Sequence, residues 1–246
     1  MPPINRVSRA HPAGWYAELD VLYQVTEIIG SHHDLDFIFQ RLTALIGEIT
    51  ESDACLLFVR MGDHLVLRAS QREYHSIVGR LNVAVGQGIT GWVARHGEPV
   101  VLSNRASHDP RFHHVSEVPD HQFEAFTALP FFFRSTVIGV VNIYHERRWH
   151  CPEHILHLLM VIGRQVGAAI EHARQLEERK TLQSVIATRK QVDRATKFLS
   201  HTLKMTTEQA YGVLLLQSRK TGRTIKELAR AYALAGRQQT SVLDRS

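Results

Sequence analysis

The chain has 246 residues, a length that exceeds the usual size of one domain and fits a folded domain with a smaller appendage. Its composition, 44% hydrophobic and 22% charged residues, is typical of a globular protein. No run approaches the roughly 20 apolar residues of a membrane-spanning helix, and the N-terminal residues lack an apolar stretch with a cleavage site, so we expect a cytoplasmic protein outside the membrane. The net charge of +5 is unevenly divided, because residues 1–171 hold 14 Arg against 18 acidic residues and residues 172–246 hold 15 Lys and Arg against six.

Two amphipathic helices are predicted at the beginning of the chain. Apolar residues recur at helical spacing, stop at residues 31–34, and then resume with the same spacing. The positions in the two runs are Leu19, Leu22, Val25, Ile28 and Ile29, then Phe37, Ile38, Leu42, Leu45, Ile46 and Ile49.

Five β-rich runs follow the two helices. The predicted strands span residues 54–60, 64–70, 81–85, 126–133 and 137–145. Met61-Gly62-Asp63 separates the first two and favours a tight hairpin turn. The order of helices, hairpins and strands predicts an α+β domain with one antiparallel sheet and flanking helices.

A glycine-rich segment lies between the two hairpins. It reads GQGITGWVARHGEPVVLSNRASHDPRF from Gly86 to Phe112, and a short helix is predicted from Ile89. This segment resembles the signature of the GAF domain family, and FFFRSTVIGVVNIYH at residues 131–145 resembles the closing hairpin of that family. The resemblance covers roughly residues 15–172 and implies a domain that binds a small ligand and dimerises.

A phosphate-binding loop is the alternative interpretation of GQGITG, because glycine-rich turns before helices bind anions. The segment lacks the Lys-Ser/Thr pair of a nucleoside-triphosphate loop and the βαβ context of a dinucleotide fold. A structural role for the glycines is therefore favoured. An enzyme is not expected, because no nucleophile, base and orienting group occur together in a recognisable motif.

The GAF resemblance places a ligand between the sheet and residues 74–126. Aromatic side chains there are candidate walls and polar side chains are candidate contacts, although each aromatic residue alone is also typical of a core. The candidate ligand-binding residues are Trp92, Arg111, Phe112, His113, Phe123 and Phe126, with His114 and His121 as further polar contacts. The ligand and any cofactor stay unassigned.

Histidines and cysteines raise two further hypotheses. His108, His113, His114 and His121 lie close in sequence, but their spacing matches no recognised metal motif, so no metal site is predicted. Cys55 is expected in the core. Cys151 precedes Pro152 at a helix start, where a redox-active thiol of lowered pKa and an unreactive cap are the two alternatives, with the cap favoured.

A long helical pattern begins at Glu153. Apolar positions from Ile155 to Leu176 alternate spacings of four and three, which is typical of a two-stranded coiled coil and predicts a homodimer. Packing of these positions on the sheet is the alternative and is equally favoured near Ile155. The polar cluster Glu177-Glu178-Arg179-Lys180 interrupts the pattern and predicts a change of register or a hinge.

Three further helices are predicted at residues 182–203, 206–217 and 224–234. Thr206-Thr207-Glu208 is typical of an N-cap, and Thr221-Gly222-Arg223 separates the last two helices. Residues 182–234 resemble the ANTAR domain, most specifically at MTTEQAYGVLLLQSRKTGRTIKELA. The resemblance implies a three-helix bundle that binds RNA hairpins competing with a transcription terminator.

The positive charge of residues 172–246 points to a polyanion, with an ordinary solvated helix surface as the alternative. The candidate RNA-binding residues are Arg189, Lys190, Arg194, Lys197, Arg219, Lys220 and Arg223. Tyr211 is a candidate for stacking on a base, with partial burial as the alternative. Thr196 and Lys197 stand where the ANTAR pattern has Lys and Gly, so RNA contacts there depart from the family.

The predicted segments are an N-terminal tail (1–14), a GAF-like domain (15–172), a helical linker (173–181), an ANTAR-like domain (182–234) and a C-terminal tail (235–246). The predicted protein is a dimeric transcription antitermination regulator whose RNA binding responds to a small molecule. The alternatives are a DNA-binding regulator with a helix-turn-helix, and a sensor whose tail serves only dimerisation or protein contact.

Overall fold

The computed structural model describes residues 14–31, 34–113, 118 and 122–232. The chain divides into two compact units, Met1–Arg174 and Gln175–Ser246. None of the helices described is long and apolar enough to cross a bilayer.

The first unit is an α+β domain. Its elements are α1 (Gly14–Ser31), α2 (Leu35–Thr50), β1 (Ala54–Met61), β2 (His64–Ser70), β3 (Asn82–Ala84), α3 (Gly88–His96), β4 (Val100–Leu102), β5 (Ala125–Phe133), β6 (Thr136–His145) and the first part of α4 (Glu153–Leu203). The two predicted N-terminal helices and the five predicted strands are confirmed, and each strand begins and ends within one residue of its prediction. The short strand β4 was not predicted.

One antiparallel sheet holds all six strands in the order β3-β2-β1-β6-β5-β4. Alternate residues of the central strands enter two separate cores, because successive side chains of a strand point to opposite faces. On β1, Cys55, Leu57 and Val59 join the core that contains α2 and α4, whereas Leu56 and Phe58 join the core that contains α3. The α3 face is the one that carries the candidate ligand site.

Two glycines of α4 bring that helix unusually close to β5. A Cβ at Gly163 would lie 2.8 Å from the carbonyl oxygen of Pro130, and a Cβ at Gly167 would overlap the carbonyl oxygen of Phe132. Residues Leu159, Ile162 and Val166 of the same helix are buried in the core that contains α2 and α4. This part of the predicted coiled-coil seam therefore packs within the domain.

The helix α4 continues into the second unit without interruption to Leu203, over 51 residues. The separate helix start predicted at residue 182 is wrong, because α4 runs through the polar cluster at residues 177–180. Glu, Arg and Lys are good helix formers, so this polar cluster interrupts the apolar pattern and not the backbone hydrogen bonds.

Two more helices complete the described part of the second unit. Helix α5 (Thr207–Thr221) begins with a capping box between Thr206 and Gln209, and residues 225–232 form α6. A small core joins α4, α5 and α6. It contains Ala195, Leu199, Ala210, Leu214, Leu228 and Ala229.

Candidate functional site

A cavity of about 40 Å³ lies between α3 and the sheet of the first unit, which gives room for a few water molecules. It is lined by Val83, Gln87, Gly88, Ile89, Thr90, Phe112, His113, Phe126 and Tyr144. Phe112, His113 and Phe126 are therefore three of the predicted ligand-binding residues that the fold brings together. His114 and His121 lie outside the described residues.

The other three predicted residues, Trp92, Arg111 and Phe123, do not line this cavity. The Arg111 guanidinium donates to both carboxylate oxygens of Asp109, at 2.9 and 2.8 Å, and lies 4.8 Å from the ring centre of Trp92. These bonds hold the pKa of Asp109 below its ordinary value. Phe123 packs behind the cavity, where its ring centre is 4.9 Å from that of Tyr144.

Two lining residues, Thr90 and Tyr144, contact a buried polar side chain that the sequence analysis missed. Asn142 is 1% exposed on β6, and its amide nitrogen donates to Thr90 Oγ1 at 2.8 Å and to the Tyr144 hydroxyl at 3.4 Å. Its carbonyl oxygen Oδ1 is buried without a partner. A single amide within the apolar run VVNIY was the available signal, because a buried polar side chain needs a reason to be there.

The rim of the cavity carries a histidine and a glutamine in contact. Gln87 Nε2 lies 2.9 Å from His113 Nε2. This hydrogen bond links the residue before α3 to the segment that ends at residue 113.

Both cysteines lie away from the cavity and are protonated. Burial raises the pKa of Cys55 far above its ordinary value and that of Cys151 to about 11. The redox-sensor alternative for Cys151 needed a lowered pKa and is wrong on that point, because burial outweighs any effect of the following helix. Within the described residues, no group of three or more His, Cys, Asp or Glu side chains is placed to hold a metal ion.

The second candidate site is a basic surface on the C-terminal unit. Lys190, Arg194 and Lys197 are exposed, and spacings of four and three residues place them on one face of α4. His201, which the sequence analysis missed, is exposed four residues further along the same face. Arg189 is also exposed, but it is turned about 100° from Lys190 around the helix.

Thr196, at the position of the usual ANTAR lysine, is buried. Its hydroxyl donates to the backbone oxygens of Val192 and Asp193, both at 3.0 Å. Neighbouring Ala195 and Leu199 belong to the small core. Thr196 therefore faces the bundle interior, and the exposed Lys197 is the cation available at this turn of α4.

The end of α5 presents Arg219 and Lys220, and the turn between α5 and α6 presents Arg223, all three exposed. Gly222 adopts a left-handed conformation at φ 68° and donates to the Ser218 carbonyl, and the Ser218 hydroxyl donates to the Arg223 carbonyl at 2.7 Å. These bonds fix the backbone of the turn. Tyr211 on α5 is 42% exposed.

A third surface feature lies on α4 just after the polar cluster. Leu182, Val185 and Ile186 share one face of the helix and are between 54% and 62% exposed. They do not continue the earlier spacing, which would require apolar residues at 180 and 183. The polar cluster thus coincides with a change of register in a continuous helix.

Comparisons with known proteins identify a domain family for each part of the chain. The sequence model of the GAF domain matches residues 34–170, and that of the ANTAR domain matches residues 174–231. No curated protein matches the chain.

Solved structures agree on the fold of the first unit. The GAF domain of a phosphoenolpyruvate-protein phosphotransferase from Coxiella burnetii has a TM-score of 0.61 and 24% identity, over 65% of this chain and 96% of that one. The GAF domain of the phosphoenolpyruvate-protein phosphotransferase from Acinetobacter has a TM-score of 0.59 and 22% identity, over 66% of this chain and 98% of that one. A free methionine-R-sulfoxide reductase from Neisseria meningitidis, solved with its substrate, has a TM-score of 0.54 and 19% identity, over 68% of this chain and 96% of that one.

Proposed function

This chain belongs to the GAF domain family and carries an ANTAR domain behind its GAF domain, and we propose that it binds RNA hairpins under the control of a small molecule held in the α3 cavity. At the coarser level it is a signal-sensing regulator of the antitermination type. Hairpin RNA, the small molecule and a second copy of the chain are its proposed partners.

The exposed basic surface is the observation that carries the RNA proposal. Lys190, Arg194 and Lys197 lie on one face of α4, and the end of α5 and the turn after it add Arg219, Lys220 and Arg223. Clustered cations suit the closely spaced phosphates of a folded RNA, since each contact releases bound counterions. Arg189, on the adjacent face of α4, is a further proposed RNA contact.

Gel-shift binding to a tandem-hairpin RNA at two salt concentrations tests this proposal. Reversal of Arg219, Lys220 and Arg223 to Glu is expected to weaken binding by about 100-fold and to reduce the salt dependence by roughly three phosphate contacts. The matched control reverses Arg41, Arg80 and Arg147, three exposed arginines of the first unit, with the same change in net charge. The control is expected to bind within about threefold of the native chain.

Two outcomes of that experiment contradict hairpin binding. Equal affinity for duplex DNA and hairpin RNA favours the DNA-binding alternative. No binding to either by folded protein favours a protein-contact role for the second unit.

Regulation, and not catalysis, is the proposed role of the cavity. Reduction of a sulfoxide by a protein thiol requires a reactive thiolate at the substrate. The cysteines of this chain are Cys55 and Cys151, both buried with raised pKa, and neither lines the cavity.

Dimerisation is proposed through α4. Residues 175–187 are exposed on every side of the helix, and an isolated helical stretch of this kind is marginal in water. Leu182, Val185 and Ile186 give it an apolar face that a second copy of α4 would cover. Light scattering should report a dimer for the native chain, a monomer after substitution of these three residues by Ser, and a dimer for the control Leu216→Ser.

A further inference from the structure

The first unit has a second concave surface beside the turn that joins β1 to β2, which we call the β1–β2 groove. It has a volume of about 490 Å³, within the usual range of small-molecule sites. Its lining residues are Arg60, Asp63, His64, Ala84, Val85 and Arg95, none of which lines the cavity beside α3. The groove and the cavity are therefore separate features of one domain.

Gly86 gives Arg95 its place in this groove. At Gly86 φ is 96°, a conformation that favours glycine, and a Cβ there would overlap the guanidinium carbon of Arg95. Arg95 Nη2 donates to the Val85 carbonyl at 3.0 Å. The guanidinium of Arg95 is thus held against the backbone that follows β3.

Arg60, near the end of β1, is held in a similar way. It is half-buried, and its Nε donates to the Gly62 carbonyl at 3.0 Å. A guanidinium has five N–H donors, and each of the two arginines uses one of them in these bonds. Among the described residues, no carboxylate forms a salt bridge with Arg60 or Arg95. Two cations with uncommitted donors therefore line one groove.

The charge of this lining favours a phosphate group. Asp63 is the one carboxylate in it, so the two arginines leave a positive excess before His64 adds any charge. A phosphate monoester carries up to two negative charges and has three acceptor oxygens, so it can pair with two guanidinium groups at once. A carboxylate has two oxygens, which one guanidinium already matches.

The wider charge of the first unit favours a small anion over RNA. Residues 1–171 hold 14 Arg and no Lys against 18 acidic residues, so this part of the chain as a whole repels a polyanion. We propose that the β1–β2 groove is a second ligand site, in which Arg60 and Arg95 bind the phosphate group of a small anion, either inorganic phosphate or a phosphate monoester. This site is independent of the function proposed above for the cavity and the basic surface.

Ligand-observed NMR on the full chain tests the site with three probes. Ribose 5-phosphate and inorganic phosphate carry the phosphate group, and ribose lacks it. Both phosphates are expected to bind with a Kd on the order of 1 mM, because the groove is open to solvent, and ribose is expected not to bind. Tighter binding of the ester supports a phosphorylated small molecule as the ligand, whereas equal binding supports inorganic phosphate.

Substitutions assign the binding to the groove. Arg60→Gln and Arg95→Gln are each expected to weaken ribose 5-phosphate binding about tenfold, since each removes a charged donor. Asp63→Asn removes the carboxylate of the lining and is expected to tighten binding about threefold. The matched controls are Arg41→Gln and Arg80→Gln, at exposed arginines of the same unit outside the groove, which are expected to stay within about twofold of the native chain.

Three results overturn the proposal. The first is that neither phosphate binds to the folded native chain at about 20 mM, and the second is that the control variants lose as much affinity as the groove variants. The third is a loss of about tenfold in hairpin-RNA affinity for the double variant Arg60→Gln/Arg95→Gln, which would assign the groove to RNA. The gain expected from Asp63→Asn keeps the test valid if an arginine variant is unstable, because unfolding does not tighten binding.

Discussion

The two units of the chain differ in how much apolar surface they bury. In the first unit, a large core lies on each face of the sheet, and α4 touches the backbone of β5 through Gly163 and Gly167. In the second, the described core has six residues, three of them alanine, while Leu182, Leu203 and Leu216 are exposed. The first unit therefore has more buried apolar surface to stabilise it than the described part of the second.

The largest expected effect is on the close contact in the first unit. Gly167→Ala places a methyl group against the Phe132 carbonyl and is expected to cost on the order of 3 kcal/mol of unfolding free energy, because helix and strand must separate. Urea unfolding followed by tryptophan fluorescence measures this, since all three tryptophans lie in the first unit. A cost below about 1 kcal/mol would mean that α4 moves freely on the sheet.

Leu214 tests the small core of the second unit. Leu214 is 0% exposed and Leu216, on the same helix, is 59% exposed. Leu214→Ala is expected to cost about 2 to 3 kcal/mol and Leu216→Ala less than about 0.5 kcal/mol. Circular dichroism should then show early loss of helix for Leu214→Ala while the fluorescence transition stays in place, and coincident transitions would show that the units unfold together.

A substitution at Gly212, on the same helix as Leu214, is expected to raise the stability of the second unit. A Cβ at Gly212 meets nothing within 4 Å, in contrast to Gly167. Gly212→Ala is therefore expected to stabilise the second unit by about 0.5 to 1 kcal/mol, since alanine loses less backbone entropy in a helix. The circular-dichroism midpoint should rise, and a fall would reveal a contact made by Gly212 in the assembled protein.

The smallest expected effect concerns pH and the first unit. Burial lowers the pKa of His145 from its ordinary value of 6.5, partly offset by its hydrogen bond to the Thr50 carbonyl and by the charge of Asp53. The unfolded chain then binds the proton more readily than the folded one, so stability is full above about pH 6.5 and falls as the pH drops below it. His145→Gln should flatten this part of the stability profile, whereas the exposed control His154→Gln should not.

The sequence predicted the strands closely because alternation and turn glycines are local signals. Of the predicted ligand-binding residues, Phe112, His113 and Phe126 line the cavity beside α3. The sequence analysis missed Thr90 and Asn142, because their pairing joins α3 to β6 across 52 residues and depends on which faces meet. The separate helix start at residue 182 was wrong, because the loss of apolar periodicity at residues 177–180 does not interrupt the helix.

The two buried thiols make the native chain a convenient background for site-directed labelling. A maleimide reacts with thiolates, and at neutral pH the native cysteines offer it almost none. A single cysteine introduced by Ala187→Cys, which is exposed on the side of α4 away from Leu182, Val185 and Ile186, should therefore take up a spin label alone. Electron paramagnetic resonance between two labelled copies would then measure how far apart the helices lie, with and without a bound ligand, and no native residue would need to be removed first.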